Sequence, residues 1–539
     1  MIVLGIHGGV TLGQHEPGAA LVIDGRCVAI CEEERYMRVK SCYGVLPYYS
    51  IKACLEIANI AFEDIDLIVT PGKTYPGHDE RMRLYLQHSF GSCPKIELVH
   101  HQMAHLCAAF YGAGQEESIC LSLDATGDGS AGMVAKASRA NGIEVLKEIP
   151  TQNSLGFFYT LMTYFLGFTD GDEYKVMGLA PYGKPSIDLS DIISVTPEGW
   201  EFDWSFIRED PPLRSPFEPL YAEKLAATLG QPSRVPGSEM TPYYKDLARS
   251  VQAAFEDCLM SIIGYAKTQA PNISSLCYAG GAALNCSANR RVVKEAGFDH
   301  FYVSPVASDR GLALGAAYYG ADQLGDKIWP LLDSNLGSFY SDDRIRTEME
   351  SNGCDFDVLS DPCETAAELL AAGKIIGWHQ GRSEAGARAL GNRSILAAAG
   401  DEKMRDLVNA RIKYREEFRP FAPATPFEEA DSYFEANGRD YPTMSATVDA
   451  RQDKADGIRA VVHVDGTARL QTVRSSNNEL FYDLIRKYGE KSGTPVVLNT
   501  SFNLKGQPIV ETPRDAVMTY YGCGLDALII GRYLVKKAW

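Results

Sequence analysis

The chain has 539 residues, 23% charged and 45% apolar, which is ordinary globular composition at a length that calls for more than one domain. Its mean hydropathy of −0.16 and the lack of any apolar run near 18 residues exclude a membrane-spanning helix. Fifty-two basic against 70 acidic residues give a net charge of −18 and a pI of about 5.1, a surface that repels phosphate backbones, so nucleic acid is not an expected partner. Thirteen cysteines, scattered and without a CxxC, point to reduced thiols in a cytoplasmic setting. The N-terminus, MIVLGIHGGV, has no basic region before its apolar run, so no signal peptide is expected.

In chain order, the predicted elements begin with a strand, IVLGI, and a glycine-containing loop, HGGVTLGQHEPG. A hairpin follows, turning at Asp24-Gly25, the strongest short-range hairpin signal. A helix carries Ile51, Cys54, Leu55 and Ala58 on one face. IDLIVT and KIELVH read as buried strands, and HQMAHLCAAFYGAG as a helix ended by glycine. SICLSLDATGDGSAGMVAKA is a second hairpin. Residues 185–243, rich in Pro and Ser, are weakly patterned and read as an insertion or lid, with aromatic residues in 202–243 candidates for an apolar pocket. A long helix over 244–268 leads into a strand, a glycine turn and a helix (LCYAGGAALNCSANRRVV), then strand, loop and helix (FYVSPVASDRGLALGAAYYGA). Two hairpin-led halves predict an α/β domain bracketing a cleft. Residues 325–358 form a transition. The second unit, 359–539, opens with the helix CETAAELLAAGKIIGWHQG and continues with strands RAVVHVD, ARLQTV and TPVVLNTSF, an α+β pattern closed by the basic end VKKAW at Trp539. No internal repeat is visible in the sequence.

His101 and His105 lie one helical turn apart on one face, and Asp124 follows at the end of an apolar strand. Imidazoles and carboxylates in this pattern suit a divalent first-row metal, and Asp309 in PVASDRGLALG is the candidate fourth ligand. GDGSAG, with Gly127 and Gly129, and AGGAALN, with Gly280, Gly281 and Asn285, are glycine turns after strands; as a facing pair they would form a nucleotide cleft. The second unit concentrates cations at polar turns: Arg382, Arg388, Arg393, Arg411, Lys413, Arg415, Arg419 and Arg469. LNTSFN adds Asn499, Thr500, Ser501 and Asn503 after a buried strand. Guanidinium forks suit phosphate or carboxylate groups; a solvated face paired with Glu416 and Glu417 is the competing reading. His15, in the loop after the first strand, is a candidate general base, worth about 10²–10⁴-fold in rate, against the simpler reading of a polar loop histidine.

EEERYMRVK, HHQMAH, SLGFFYTLMTYFLGFTDGDEYKVMGLAPYG, YAGGAALNCSAN, SPVASDRGLALGAA, GRSEAGARALGNRSILA, YREEFRPFAP, DGTARLQTV and LNTSFNLKGQPIV occur in one order across both units. Together they resemble the O-carbamoyltransferases of nodulation and antibiotic biosynthesis. The resemblance implies a duplicated actin/hexokinase-like (ribonuclease H-like) ATP- and metal-binding domain over 1–340, and a YrdC-like domain over 359–539. It implies that the second domain makes carbamoyl-adenylate from carbamoyl phosphate and ATP, with Mg²⁺. The first domain would pass the carbamoyl group to a hydroxyl of a small-molecule natural product at a metal site, typically Fe²⁺. His101, His105, Asp124 and Asp309 match the family's metal ligands. Lys413, Arg419, Arg469, Asn499 and Ser501 match its activation site, with Arg388 close by. His15 and Lys40 match positions near transfer. One departure is His15-Glu16-Pro17-Gly18, where the family usually has His-Asp followed by a small polar residue; another is a longer first loop. A tRNA threonylcarbamoyl-type transferase and a small-molecule kinase of the same superfamily remain the alternatives, and a homodimer is the expected assembly.

Overall fold

The computed structural model describes residues 1–9, 14–208 and 220–537. Part of the first loop, the middle of the insertion and the Trp539 end lie outside the described residues.

The first unit holds two five-stranded sheets. In the first, β1 (Ile2–His7), β2 (Gly18–Ile23) and β3 (Arg26–Glu32) form an antiparallel run, and β4 (Leu67–Pro71) and β5 (Lys95–Val99) join it in parallel, in the order β3-β2-β1-β4-β5. The second repeats this plan. β6 (Glu117–Gly127), β7 (Ser130–Ser138) and β8 (Gly142–Pro150) are antiparallel, and two later strands, Ser275–Ala279 and His300–Val303, are parallel to β6. The architecture is therefore duplicated, although no sequence repeat reveals it. What the halves share is strand order and hairpin chemistry: Asp24-Gly25 and Asp128-Gly129 both turn with positive φ at each residue, which the twist of a two-residue hairpin requires.

The helix Leu312–Gln323 packs on β1 and against the helix His101–Ala113. Contact is backbone to backbone, because a Cβ on Gly5 would fall 1.8 Å from the carbonyl oxygen of Ala313, and one on Gly315 would fall 1.8 Å from that of Ala104. This close approach brings the start of one helix, with Asp309 before it, onto the helix that carries His101 and His105.

The described part of the insertion is structured. Its hairpin (Ile193–Thr196 with Gly199–Phe202) and the helix Lys224–Leu229 send Trp200, Phe202, Phe206, Leu225 and Leu229 into the same core as the long helix Pro242–Gln269. These apolar side chains are core residues and do not line an open acceptor pocket.

The second unit is built on an eight-stranded mixed sheet with Ile376–His379, Arg393–Ala398 and Val497–Ser501 at its centre. Helices Pro362–Ala371 and Glu479–Ser492 cover one face, and a separate apolar core fills the other. Two expectations change here. The opening helix stops at Ala371, and Ile376–His379 is a central strand: Gly373 turns the chain at φ 73, and the β-branched pair after Lys374 enters the sheet. RAVVHVD is a short helical turn and loop rather than a strand. The short strand Phe356–Val358, from the transition segment, pairs with Tyr533–Val535 at the sheet edge. All thirteen cysteines are free thiols, and no helix of the described residues is long and apolar enough to cross a membrane.

Candidate metal centre and cation-lined chamber

His100 ends the β5 connection and caps the next helix through its ring, so His101 and His105 occupy the first two turns on one face. Asp124 lies near the end of β6, and Asp309 lies just before the helix Leu312–Gln323. Their ligand atoms converge within 4.8 Å of one another. His105 Nε2 is 3.1 Å from Asp124 Oδ2 and 3.4 Å from Asp309 Oδ1; His101 Nε2 is 3.4 and 3.5 Å from the same two atoms. Burial disfavours a charged ring at His101, but Asp309 and Asp124 outweigh it and push its pKa up to about 10. Two carboxylates sealed together need a positive charge between them, and two imidazoles with two carboxylates are the donor set of a divalent first-row metal. The residues fit such an ion.

The surroundings aim these ligands. Asp128 accepts backbone N–H bonds from Gly72 (3.2 Å), Lys73 (3.2 Å), Thr74 (3.0 Å) and His101 (2.8 Å), so the hairpin turn fixes the start of the ligand helix. Gly127 lies under the His101 ring, where a Cβ would come within 2.1 Å of it. A Cβ on Gly281 would come within 2.9 Å of Asp124 Oδ1, and one on Gly280 would meet the Leu123 carbonyl. Both glycine turns thus reach the candidate metal ligands, while Gly129 turns the hairpin with open space around it. Asn285 caps the helix Cys286–Glu295 and exchanges hydrogen bonds with Gln252. His15 Nε2 stands 3.8 Å from Asp309 Oδ2 and its ring leans on Tyr43. His7, fully buried, bonds the His15 carbonyl at 3.0 Å, and burial lowers its pKa to about 4.

The second group of charges lies between the units. Arg388 and Arg469 have no hydrogen-bond or ion-pair partner among the described residues, and Arg469 Nε is buried without one. Burial first, then Arg469, Arg310 and Arg419, hold the Arg388 guanidinium below its usual range. Arg415 lies over the Phe421 ring, and Arg419 lies 4.5 Å above the Tyr174 ring, with Lys40 at 5.7 Å from that ring. Lys40 therefore faces the chamber from the first unit, and burial lowers its pKa.

Lys413 stands at the end of a wide helical turn, which Tyr414 N–H closes onto the Asn409 carbonyl. Its ammonium donates to Ser501 O (2.5 Å), Asn503 Oδ1 (2.7 Å), Asn503 O (3.1 Å) and Ser501 Oγ (3.3 Å). Every one of these acceptors is neutral, so burial pulls the ammonium well below its usual pKa. Asn499 donates to Ala389 O and Gln471 Oε1, holding the Arg388 loop, while its own Oδ1 is buried without a partner. Thr500 pairs through its backbone with Ile395.

The carbamoyltransferase N-terminal family matches residues 83–318 and the carbamoyltransferase C-terminal family matches 367–537. The nodulation protein NolNO of Sinorhizobium fredii is 34% identical over 580 residues, covering 100% of this chain and 83% of that protein. The chain belongs to the carbamoyltransferase family. Also similar are NolO of Bradyrhizobium diazoefficiens (36% over 456 residues, 81% of this chain and 79% of that one) and the 3'-hydroxymethylcephem-O-carbamoyltransferase of Streptomyces clavuligerus (36% over 271 residues, 49% of each). This carbamoyltransferase is therefore an enzyme that transfers carbamoyl groups.

Several residues of this carbamoyltransferase sort differently from their sequence appearance. Arg382 and Arg393 serve structure: Arg382 bonds carbonyls of Val28, Leu336 and Gly337, and Arg393, fully buried, bonds those of Gln380 and Ser338. Arg411 points outward to Asp526. Glu416, set against the chamber cations in the competing reading, does pair with Arg419 at 3.6 Å and with Lys175 at 3.2 Å, but leaves Arg388 and Arg469 unpaired. Glu16, the family departure, forms an ion pair with Arg310 and accepts the Ser308 hydroxyl at 2.6 Å, so it fastens the loop that bears Asp309. Arg310, Glu32 and Tyr174 were not singled out as site residues. They lie within motifs quoted for the family, but a lone Arg after Asp or a run of glutamates carries no spacing signal.

Proposed function

We propose that this chain is an ATP- and carbamoyl phosphate-dependent O-carbamoyltransferase acting on a hydroxyl of a small molecule. The second unit would be a YrdC-like activating domain and the first an actin/hexokinase-like transfer domain. The observation that carries this reading is the pair of half-buried guanidiniums, Arg388 and Arg469, which have no partner among the described residues and stand in a chamber crowded with like charge. Buried, unpaired cations are costly unless an anion joins them. A compact anion such as carbamoyl phosphate or a nucleotide phosphate is the ligand class that offsets the cost with bidentate bonds.

The balance of the reaction assigns the parts. Carbamoyl phosphate and water give carbamate and phosphate. A carbamate oxygen attacks the α-phosphorus of ATP, a P–O bond breaks, and pyrophosphate leaves. Arg388, Arg415, Arg419 and Arg469 stabilise the charge that grows on the departing groups. The acceptor hydroxyl then attacks the carbamoyl carbon, the bond to AMP breaks, and AMP leaves with the carbamate ester formed. His15, beside the metal cluster, takes the hydroxyl proton. His101, His105, Asp124 and Asp309 would hold a divalent ion, Fe²⁺ by family resemblance, which when bound supplies Lewis-acid polarisation and neutralises phosphate charge. Enclosure between the units keeps water from the activated carbamoyl group.

The test is incubation with carbamoyl phosphate, ATP, Mg²⁺ and a panel of hydroxylated natural products. A mass gain of one carbamoyl group on an acceptor, abolished by omitting carbamoyl phosphate, supports the reading. ADP and a phosphorylated product would replace it with a kinase.

A further inference from the structure

Arg310 directly follows Asp309 in the chain and is almost wholly buried. Three carboxylates grip its guanidinium. NH1 pairs with Glu16, Nε donates to Glu32 Oε2 at 3.1 Å, and NH2 donates to both oxygens of Glu34 at 3.3 Å. The other oxygen of Glu32 faces the second unit, where Oε1 accepts the backbone N–H of Gly386 at 2.6 Å. Arg35 closes the ring by donating to the Gly386 carbonyl at 2.8 Å. Gly386, at φ 103, has no room for a side chain: a Cβ would lie 2.2 Å from the carbonyl oxygen of Pro305. The loop leading to Arg388 therefore rests directly on the loop leading to Asp309.

Glu32 is 3% exposed. Among the described residues it is the carboxylate that bonds both the neighbour of Asp309 and the loop of Arg388. A plain domain contact needs no such device, since burying charge is costly and apolar packing would hold two units together as well. What an Arg–carboxylate fork adds is direction, fixing the angle and distance of what it joins.

We infer that Glu32 is a positioning residue that keeps the cation chamber and the metal cluster in register, so that the activated carbamoyl group passes between them without meeting water. The inference rests on the reading under "Proposed function". Out of register, water attacks the carbamoyl carbon of the adenylate, the bond to AMP breaks, and AMP leaves with carbamate, which decomposes to ammonia and carbon dioxide.

The experiment uses the full metal-loaded chain with carbamoyl phosphate, ATP and Mg²⁺ and no acceptor. Two rates are read: carbamoyl phosphate-dependent exchange of labelled pyrophosphate into ATP, and idle release of AMP. Glu32→Gln is expected to leave exchange within about twofold of wild type and to raise idle AMP release about tenfold, a misplacement of an ångström or less being enough. Arg310→Lys, which keeps the charge and removes the fork, gives the same rise and carries the test if the first variant does not fold. Tyr36→Phe removes the hydroxyl bond to Ser338 at 2.9 Å, which ties the same N-terminal segment to the transition rather than to the second unit, and leaves the ratio of the two rates unchanged. An unchanged ratio in E32Q, both rates falling together, or an equal rise in Y36F overturns the inference. A wild type that makes no AMP and pyrophosphate from these substrates overturns the functional reading itself.

Discussion

His105 Nε2 and Asp309 Oδ1 lie 3.4 Å apart, one carried by the helix that follows the first sheet and the other by the loop that follows the last strand of the second. Only the duplicated fold brings them together. Removing either leaves too few donors for a tightly held ion, so His105→Ala and Asp309→Asn should each lose bound metal. Elemental analysis is expected to fall from about one equivalent per chain to near zero, and carbamoyl transfer to fall at least about 100-fold. Pyrophosphate exchange, which the proposed function assigns to the other site, should stay within a few-fold of wild type. Full metal content in both variants would remove the cluster from the account.

Arg469 is the chamber cation to test first, because no partner is left stranded when it goes. Arg469→Ala should raise the KM for carbamoyl phosphate or ATP about 10–100-fold, the worth of one charge-assisted contact. Melting temperature should hold or rise, since a half-buried like charge has been removed from beside Arg388. A large fall in stability with unchanged KM would make Arg469 a structural residue.

Asp128 couples a hairpin turn to the loop 72–74 through three backbone N–H bonds and to the helix of His101 through a fourth. Burial works against its charge, but the bonds from Thr74 and His101 outweigh it and hold its pKa below the usual carboxylate range. A depressed folded-state pKa means that its stabilisation is present above the unfolded value, about 4, and is lost as pH falls through the folded value. Asp128→Asn should therefore cost about 1–3 kcal/mol near neutral pH. The gap to wild type should close in acid. Thermal melts at pH 7 and at about pH 2, below the unfolded value, check this, and a gap independent of pH would refute it.

Glu173 behaves oppositely. Burial, then the nearby Asp170, push its pKa up to about 7 while its carboxyl accepts the Thr160 hydroxyl at 2.8 Å. A carboxyl that binds its proton more tightly when folded destabilises the fold as pH rises from its unfolded value, about 4.3, through 7. Glu173→Gln keeps an oxygen for Thr160 and removes that penalty. Its melting temperature should exceed wild type by about 2–4 °C more at pH 8 than at pH 5. An equal offset at both values would contradict the assignment.

Much of this was legible in the residues. Spacing placed His101 and His105 on one face, Asp-Gly marked both hairpins, and the excess of arginine at polar turns of an acidic chain marked the chamber. What could not be read was partnership across the fold. Arg382, Arg388 and Arg393 look alike in one glycine-rich segment, yet the first and last bond carbonyls, and of the three only Arg388 has no partner among the described residues. The duplication shows in the two hairpin-led halves but not as a residue repeat, because strand order, not residue identity, is what repeats. The central strand Ile376–His379 was hidden because a short apolar run after a helix has no period of its own. Glu32 had no local signal at all, since its role depends on Arg310 and Gly386, which are remote in sequence.

The most direct measurement of the central claim is phosphorus NMR of the full chain with ATP and Mg²⁺, with and without carbamoyl phosphate. If the cation chamber activates a carbamoyl group, AMP and pyrophosphate appear together only when carbamoyl phosphate is present, and Arg388→Ala abolishes both. Appearance of ADP, or nucleotide turnover indifferent to carbamoyl phosphate, would contradict it.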